Sequence, residues 1–200
     1  MKSSQKRLLG LRLPTDPRWV NVVEKNIAEI LTDHAWCEQK AASNAISTIV
    51  RFPEYPELVE ELTAIAIEEM EHFQQVLEKI KARGFKLGFE RSDEYVIALS
   101  KFFSKGGSRL TQLIDRLLFA AMVEARSCER FRILSEEIGD EDLRQFYHEL
   151  MVSEAGHYAT FLQHARKLGV GLDVETKWNA FLDYEAKIMK GFGKKETMHG

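Results

Sequence analysis

Apolar residues recur every three or four positions through four long stretches of the chain, which is the spacing of an amphipathic α-helix. Proline or glycine follows each stretch: Pro53 and Pro56 after the first, then Gly84, Gly139 and Gly169 after the other three. The four predicted helices span about residues 19–52, 57–83, 108–138 and 141–168. The pattern therefore predicts an all-α protein built on four long helices.

The remaining segments connect or extend these helices. Residues 1–17 are predicted to be an extended lead-in, and residues 84–107 a long connection that contains a short amphipathic helix near 93–104. A last amphipathic helix from Val174 to about Met189 is expected to pack outside the others, with residues 190–200 as a flexible tail. Residues 1–200 are predicted to form a single domain.

Charged and imidazole side chains interrupt the apolar face of all four helices. A carboxylate on a buried face is costly unless it is paired or binds a metal. Residues three apart share a helix face, so a Glu-x-x-His pair can direct both side chains at one ion. The predicted ligands are Glu38 on the first helix, Glu69 and His72 on the second, Glu124 on the third, and Glu154 and His157 on the fourth.

The order of these motifs repeats: a helix with one glutamate is followed by a helix with Glu-x-x-His, twice. Two short inner connections and one long crossover between the second and third helices are typical of the ferritin-like four-helix bundle, with the last helix as an addition. The same ligand set is typical of di-iron and di-manganese carboxylate proteins. Two divalent ions would balance the charge of the four buried carboxylates. The sequence therefore predicts a two-metal site, with iron ions as the expected metal and manganese as an alternative.

Composition excludes several other classes. Hydrophobic residues make up 44% and charged residues 30% of the chain, with only four prolines, as in a globular helical protein. The formal charge of −3 argues neither for nor against a nucleic-acid partner. Cys37 and Cys128 are too few for a disulfide framework or a paired-cysteine zinc site. No apolar run resembles a signal peptide or a membrane span, so a cytoplasmic location without membrane attachment is expected.

Several neighbours of the predicted ligands have open roles. His34 lies one turn before Glu38 and either orients a ligand, lines a pocket, or is an ordinary buried histidine. Cys128 lies one turn after Glu124 and is a further candidate neighbour of the site, although cysteines are more often small core residues. Arg126, like Arg130 and Arg132, either supports the cluster or faces solvent, and Glu68, Glu71 and Glu129 are expected to be solvated.

Four segments resemble the MiaE family of bacterial tRNA hydroxylases: DHAWCEQKAA (33–42), EEMEHFQQVLEKIKARG (68–84), EARSCERF (124–131) and SEAGHY (153–158). The string EARSCERF is the most specific, because the ferritin-like bundle alone does not require it. All six ligand positions that the resemblance implies are present.

The resemblance implies a non-haem di-iron monooxygenase acting on tRNA. It would use dioxygen as co-substrate to hydroxylate the isopentenyl group of a (methylthio-)isopentenyladenosine beside the anticodon. Two electrons would come from a ferredoxin or reductase, since the sequence carries no flavin or nucleotide fingerprint and no iron–sulfur cysteine set. A monomer or small oligomer is expected.

Basic residues in and beside the crossover are candidate contacts to the phosphates of the anticodon loop. They are Lys81, Arg83, Lys86, Arg91, Lys101, Lys105 and Arg109. They are equally interpretable as ordinary solvated charges among neighbouring acids. Two other functions share parts of the pattern: a ferritin- or rubrerythrin-like ferroxidase or peroxidase, and a non-catalytic bundle that binds RNA.

Overall fold

A computed structural model describes residues 8–103, 106–192 and 197–199. Short 3₁₀ turns, Pro17–Trp19 and Met189–Gly191, lie at either end of the helical part of the chain. The described residues contain no strand, which confirms the all-α prediction. The α-helices in this part of the chain are α1 (Val20–Glu24), α2 (Ile27–Arg51), α3 (Pro56–Ala82), α4 (Glu94–Ser100), α5 (Arg109–Glu137), α6 (Glu141–Leu168) and α7 (Val174–Ile188).

The four long helices form a bundle of two hairpins. Helix α2 packs along α3, and α5 packs along α6, each pair joined by a short connection. The chain between α3 and α5 crosses from one end of the bundle to the other and contains α4. This is the predicted connectivity, with its long crossover between the second and third long helices.

Two apolar layers fill the bundle, one toward each end. Along α3, Leu58 and Leu62 belong to the first layer and Val76 and Ile80 to the second. The same division holds along α5, where Leu117 precedes and Phe131 follows the gap between the layers. The polar residues predicted as ligands lie between the two layers, so the core on both sides excludes water from them.

The first predicted helix is broken in the structure. Instead of one helix from Trp19, a 3₁₀ turn and α1 are followed by a break at Asn26, whose φ is −151° and ψ 67°. Asparagine is a poor residue inside a helix and a favourable one at its start. The break is compatible with burial of Trp19, Val20 and Val23 in the same apolar layer as the first turns of α2.

The described part of the lead-in and the end of the chain pack on the bundle. Arg12 donates a hydrogen bond from Nη2 to Oδ1 of Asn179 on α7, at 2.7 Å. Of the tail that was expected to be flexible, residues 193–196 and 200 lie outside the described residues, whereas Met198 and His199 are buried and the backbone N–H of Met198 donates to Asp33 at 2.6 Å. None of the helices in the described segments combines the length and apolar character needed to span a bilayer.

Candidate metal centre

The bundle brings all six predicted ligands together between the two apolar layers. Each of the four long helices contributes at its midpoint, and none of the six side chains is more than 5% exposed. The ligands are Glu38 from α2, Glu69 and His72 from α3, Glu124 from α5, and Glu154 and His157 from α6. The structure therefore places one polar cluster on a face that is otherwise apolar on every helix.

Two groups of potential ligand atoms lie within this cluster, and in each group the atoms lie within 4.8 Å of one another. The groups share two carboxylates, Glu69 and Glu154. The sequence spacing places each of these glutamates beside the histidine three residues later. It does not show that each glutamate also belongs to the ligand group of the other histidine. The first group is Glu38, Glu69, His72 and Glu154, and the second is Glu69, Glu124, Glu154 and His157.

Both histidines turn the same ring nitrogen toward the carboxylates. Nδ1 of His72 lies 3.7 Å from Oε2 of Glu38 and 3.5 Å from Oε1 of Glu154. Nδ1 of His157 lies 2.9 Å from Oε1 of Glu69. Both Nδ1 atoms are buried and form no hydrogen bond of acceptable geometry within the described residues, as is also true of both carboxylate oxygens of Glu69. Buried polar atoms of this kind are costly unless something else binds them, so the donor set fits divalent metal ions.

Electrostatics favours the same interpretation. Burial, together with the neighbouring Glu154 carboxylate, raises the pKa of Glu124 well above its ordinary range. Burial alone would lower the pKa of His72, but the carboxylates of Glu154, Glu38 and Glu69 raise it to about 12. Raised pKa values at Glu124 and His72 mean that protons on these side chains would offset part of the negative charge of the cluster, and metal ions would displace such protons.

Two further residues contact the cluster. Glu68 was expected to be solvated, but its carboxylate, although 47% exposed, hydrogen-bonds with Nε2 of His157 at 3.1 Å. It also lies 3.9 Å from Nε2 of His72 and accepts a hydrogen bond from Ser153 at 2.5 Å. A donor at Nε2 leaves the Nδ1 lone pair free for a metal. The spacing of four residues between Glu68 and His72 was the available signal in the sequence.

His34 is fully buried, and its Nε2 lies 2.6 Å from Oε1 of Glu38. Burial lowers the pKa of its imidazole to about 3, so the ring is neutral. Its ring also stacks on Tyr147, with centroids 5.5 Å apart. Neither ring nitrogen forms a hydrogen bond of acceptable geometry within the described residues, so the structure shows a neutral, buried histidine packed against Glu38.

Arg126 belongs to a different cluster. It is fully buried, but it lies two positions after Glu124 and therefore on another helix face. Its guanidinium donates to Glu185 at 2.6 Å and to Glu129 at 2.9 Å. The expectation that Glu129 is solvated was therefore wrong, because Glu129 is 1% exposed and also accepts hydrogen bonds from Thr15.

Cys128 packs between α5 and α6, where its thiol donates to the carbonyl of Met151 at 3.3 Å. Burial raises the pKa of the Cys128 thiol to about 12. Cys128 therefore has the environment of a core residue.

Arg130 does not face solvent either. It is buried over the ring of Trp19, 4.1 Å from the ring centroid.

The basic candidates are distributed along the molecule instead of forming one patch. Arg83, at the end of α3, pairs with Asp140 and Asp142 at 2.7 and 2.9 Å. Arg109, at the start of α5, pairs with Glu54 at the other end of the bundle. A helix as long as α3 spans roughly 40 Å, so these two positions lie far apart. Lys81, Lys86, Arg91 and Lys101 are exposed, and Lys105 lies outside the described residues.

Known proteins resemble the chain over most of its length. Residues 3–200 match the sequence profile of the family described as tRNA-(MS[2]IO[6]A)-hydroxylase (MiaE). A Pseudomonas putida protein named tRNA 2-(methylsulfanyl)-N(6)-isopentenyladenosine(37) hydroxylase is 36% identical over 82% of this chain and 78% of its own length. A Salmonella typhimurium protein with the same name is 27% identical over 90% of this chain and 83% of its own.

A solved structure confirms the fold class. The chain resembles a Synechococcus protein described as having aldehyde deformylating oxygenase activity, with a TM-score of 0.84 and 34% identity. The similarity covers 95% of each chain. With the profile match extending over nearly the whole sequence, the chain belongs to the MiaE family.

Proposed function

We propose that this protein is a di-iron monooxygenase that hydroxylates the isopentenyl group of a (methylthio-)isopentenyladenosine next to the anticodon of tRNA. The observation that carries the proposal is the pair of ligand groups sharing Glu69 and Glu154 in a chain of the MiaE family. The named activity of the Pseudomonas and Salmonella relatives supplies the substrate.

The cluster suits two divalent ions with oxygen and nitrogen ligands. Glu38 and His72 would help to hold one ion and Glu124 and His157 the other, and Glu69 and Glu154 belong to both groups of potential ligands. This donor set suits iron, and di-manganese would be compatible with the same residues. Two iron ions, when bound, would supply the activation of dioxygen needed to oxidise a carbon–hydrogen bond.

The protein residues would hold the reactants and control protons. The two apolar layers above and below the cluster exclude bulk water, which limits side reactions. Glu68 would keep Nε2 of His157 protonated so that Nδ1 faces the cluster. The overall balance is one dioxygen, two electrons and two protons for one hydroxyl group and one water, so an external electron donor is part of the proposal.

Anticodon-loop bases are single-stranded and can be turned out of their stack into a protein pocket. Exposed basic residues of the crossover, such as Lys86 and Lys101, are the proposed phosphate contacts. Arg83 and Arg109 are less suitable, because each is already paired with carboxylates of the bundle.

The test is mass spectrometry of nucleosides from tRNA that carries isopentenyl-type adenosines. The tRNA is incubated with iron-loaded protein, dioxygen and a chemical reductant, beside the Glu124→Ala variant. We expect one added oxygen on the modified adenosine with the wild-type protein and a loss of at least about 100-fold with the variant, because one ligand group is incomplete. Absence of the added oxygen with wild-type protein that still consumes dioxygen would contradict the proposal.

The Synechococcus structure provides a second candidate, an oxygenase acting on an aldehyde at the same cluster. The same reaction mixture with an aldehyde in place of tRNA separates the two. A deformylated product without nucleoside oxidation would favour this candidate. Iron or peroxide turnover alone would favour a ferroxidase or peroxidase.

A further inference from the structure

A pocket of about 290 Å³ lies between α2, the crossover and α5. The crossover contributes Asp93 and Val96 to its wall, and His199 completes another side. Glu124, one of the candidate metal ligands, forms part of the same wall. The pocket therefore adjoins the cluster at Glu124 and is bordered by the crossover.

Burial changes across the pocket in a defined direction. Ala120 and Glu124 are only 3% and 5% exposed. The side chain of Lys40, which also lines the pocket, is 37% exposed. The pocket is thus closed at the metal cluster and meets solvent on the α2 side, so the first part of a ligand to enter would be the part nearest Glu124.

The lining divides by polarity. Val96, Phe119 and Val123 provide an apolar wall, and two small residues, Ala41 and Ala120, leave room between the helices. This combination suits a flat ring with an apolar, branched substituent. The volume lies near the lower end of the range for small-molecule sites, which is the scale of one base and not of an oligonucleotide.

Polar groups of α2, the crossover and the chain end are held in fixed positions around the pocket. Oδ1 of Asn44 accepts a hydrogen bond from Nη2 of Arg116 at 3.1 Å, which sets the orientation of the amide. Nδ1 of His199 hydrogen-bonds with Oδ2 of Asp93 at 2.8 Å, and its ring stacks on Tyr95. A few fixed polar groups around an apolar interior are the usual means of recognising a heteroaromatic edge.

We propose that this α2–α5 pocket binds the N6-prenylated adenine base, with the prenyl chain against Ala41, Ala120 and Val123 and directed at the Glu124 side of the cluster. The inference rests on the proposed function, since it is the relatives' names that supply the base. A larger groove of about 710 Å³ on the outer face of α2 and α3 is lined by none of the six candidate ligands, so a base there would not reach the cluster.

Substitution of Ala41 by leucine tests the pocket, with Ser43→Leu as the matched control. Ser43 lies two positions away on α2, is exposed, and does not line the pocket. We expect Ala41→Leu to keep its iron content and lower kcat/KM for modified tRNA by about 10- to 200-fold, the range for filling an apolar pocket. Ala41→Leu should also weaken the binding of free N6-isopentenyladenosine, measured by calorimetry. Ser43→Leu should match the wild-type protein in kcat/KM and in nucleoside binding.

A second variant keeps the test independent of how well leucine is accommodated. Val123→Ala enlarges the same wall, so the ratio of activity on a longer prenyl chain to activity on isopentenyl should rise at least about tenfold. If this activity ratio is unchanged and the wild-type and Ala41→Leu proteins bind the nucleoside equally, the base does not bind in this pocket.

The outcomes also separate this inference from the proposed function. If the wild-type protein hydroxylates the tRNA and neither pocket variant changes this activity, the proposed function stands and the proposed pocket is wrong. If the wild-type protein adds no oxygen, nucleoside binding still decides the pocket: binding that Ala41→Leu weakens supports it, and absent or unaffected binding overturns it.

Discussion

Single side chains outside the ligand set determine how the candidate ligands are presented. Glu68 lies between the Nε2 atoms of His72 and His157, and His34 lies against Glu38. A histidine ligand whose second nitrogen is hydrogen-bonded is fixed in tautomer and orientation. The orientation of the six candidate ligands therefore depends on neighbouring residues that are not part of the Glu-x-x-His motifs.

We expect Glu68→Ala to weaken iron binding by about 10- to 100-fold, because both imidazoles lose the carboxylate at Nε2. Glu71→Ala is the control, since Glu71 is an exposed glutamate on the same helix. The measurement is iron retention against a graded chelator, with circular dichroism to verify the helices. Equal retention by the two variants would show that Glu68 does not support the ligands.

At the scale of helices, the end contacts of the bundle combine capping with ion pairing. Asp140 caps α6 by accepting a hydrogen bond from the backbone N–H of Leu143 at 3.1 Å. It also pairs with Arg83 at the end of α3. Burial opposes its ionisation, but the hydrogen bonds from Arg83 and Leu143 together lower the pKa of Asp140 below its ordinary value. Asp140 thus joins the two hairpins at this end, together with Asp142, which also pairs with Arg83.

Asp140→Ala should lower the free energy of unfolding by about 1 kcal/mol at neutral pH, the usual cost of losing an N-cap, with little added by the partly exposed ion pair. A lowered pKa means that the ionised carboxyl stabilises the fold above its unfolded pKa, and that this contribution is lost as the pH falls through the folded pKa. The difference between variant and wild type should therefore shrink below about pH 4.

Denaturant titrations at several pH values measure this difference. Asp183→Ala is a suitable control, because Asp183 lies within α7 and pairs with Arg12 at the surface without capping a helix. A difference that stays constant down to the lowest pH at which both proteins fold would contradict the assignment to the Asp140 carboxylate.

At the scale of the whole molecule, a second buried cluster fixes the peripheral segments to the bundle. Arg126 on α5 pairs with Glu185 on α7, and its Nη2 donates to the carbonyl of Leu13 in the lead-in at 3.0 Å. Glu129 accepts from both Thr15 and Arg126. The lead-in, α5 and α7 therefore share one set of buried charges that is separate from the metal centre.

Arg126→Ala should lower the free energy of unfolding by about 3–5 kcal/mol, because two buried carboxylates lose their cation. Arg132→Ala should change it by less than about 1 kcal/mol, since its partner Glu136 is 52% exposed and solvent weakens the ion pair. Chemical denaturation of the two variants measures the contrast, and similar values would mean that the Arg126 cluster contributes little.

The sequence determined the features that depend on local periodicity and on the cost of burial. Four long helices, their connectivity and the six inward polar residues follow from apolar spacing, helix-ending residues and the rule that a carboxylate on an apolar face needs a partner. The break at Asn26 was missed because apolar spacing continues across it.

Only the tertiary structure decided which residues meet across helices. The sharing of Glu69 and Glu154 between two ligand groups, the contact of Glu68 with His157, and the burial of Glu129 beneath Thr15 all depend on contacts between different segments of the chain. Periodicity gives the face on which a residue lies, but the neighbour on that face is set by how the helices and the lead-in pack. The pocket beside Glu124 likewise exists only because α2 and α5 are held apart and covered by the crossover.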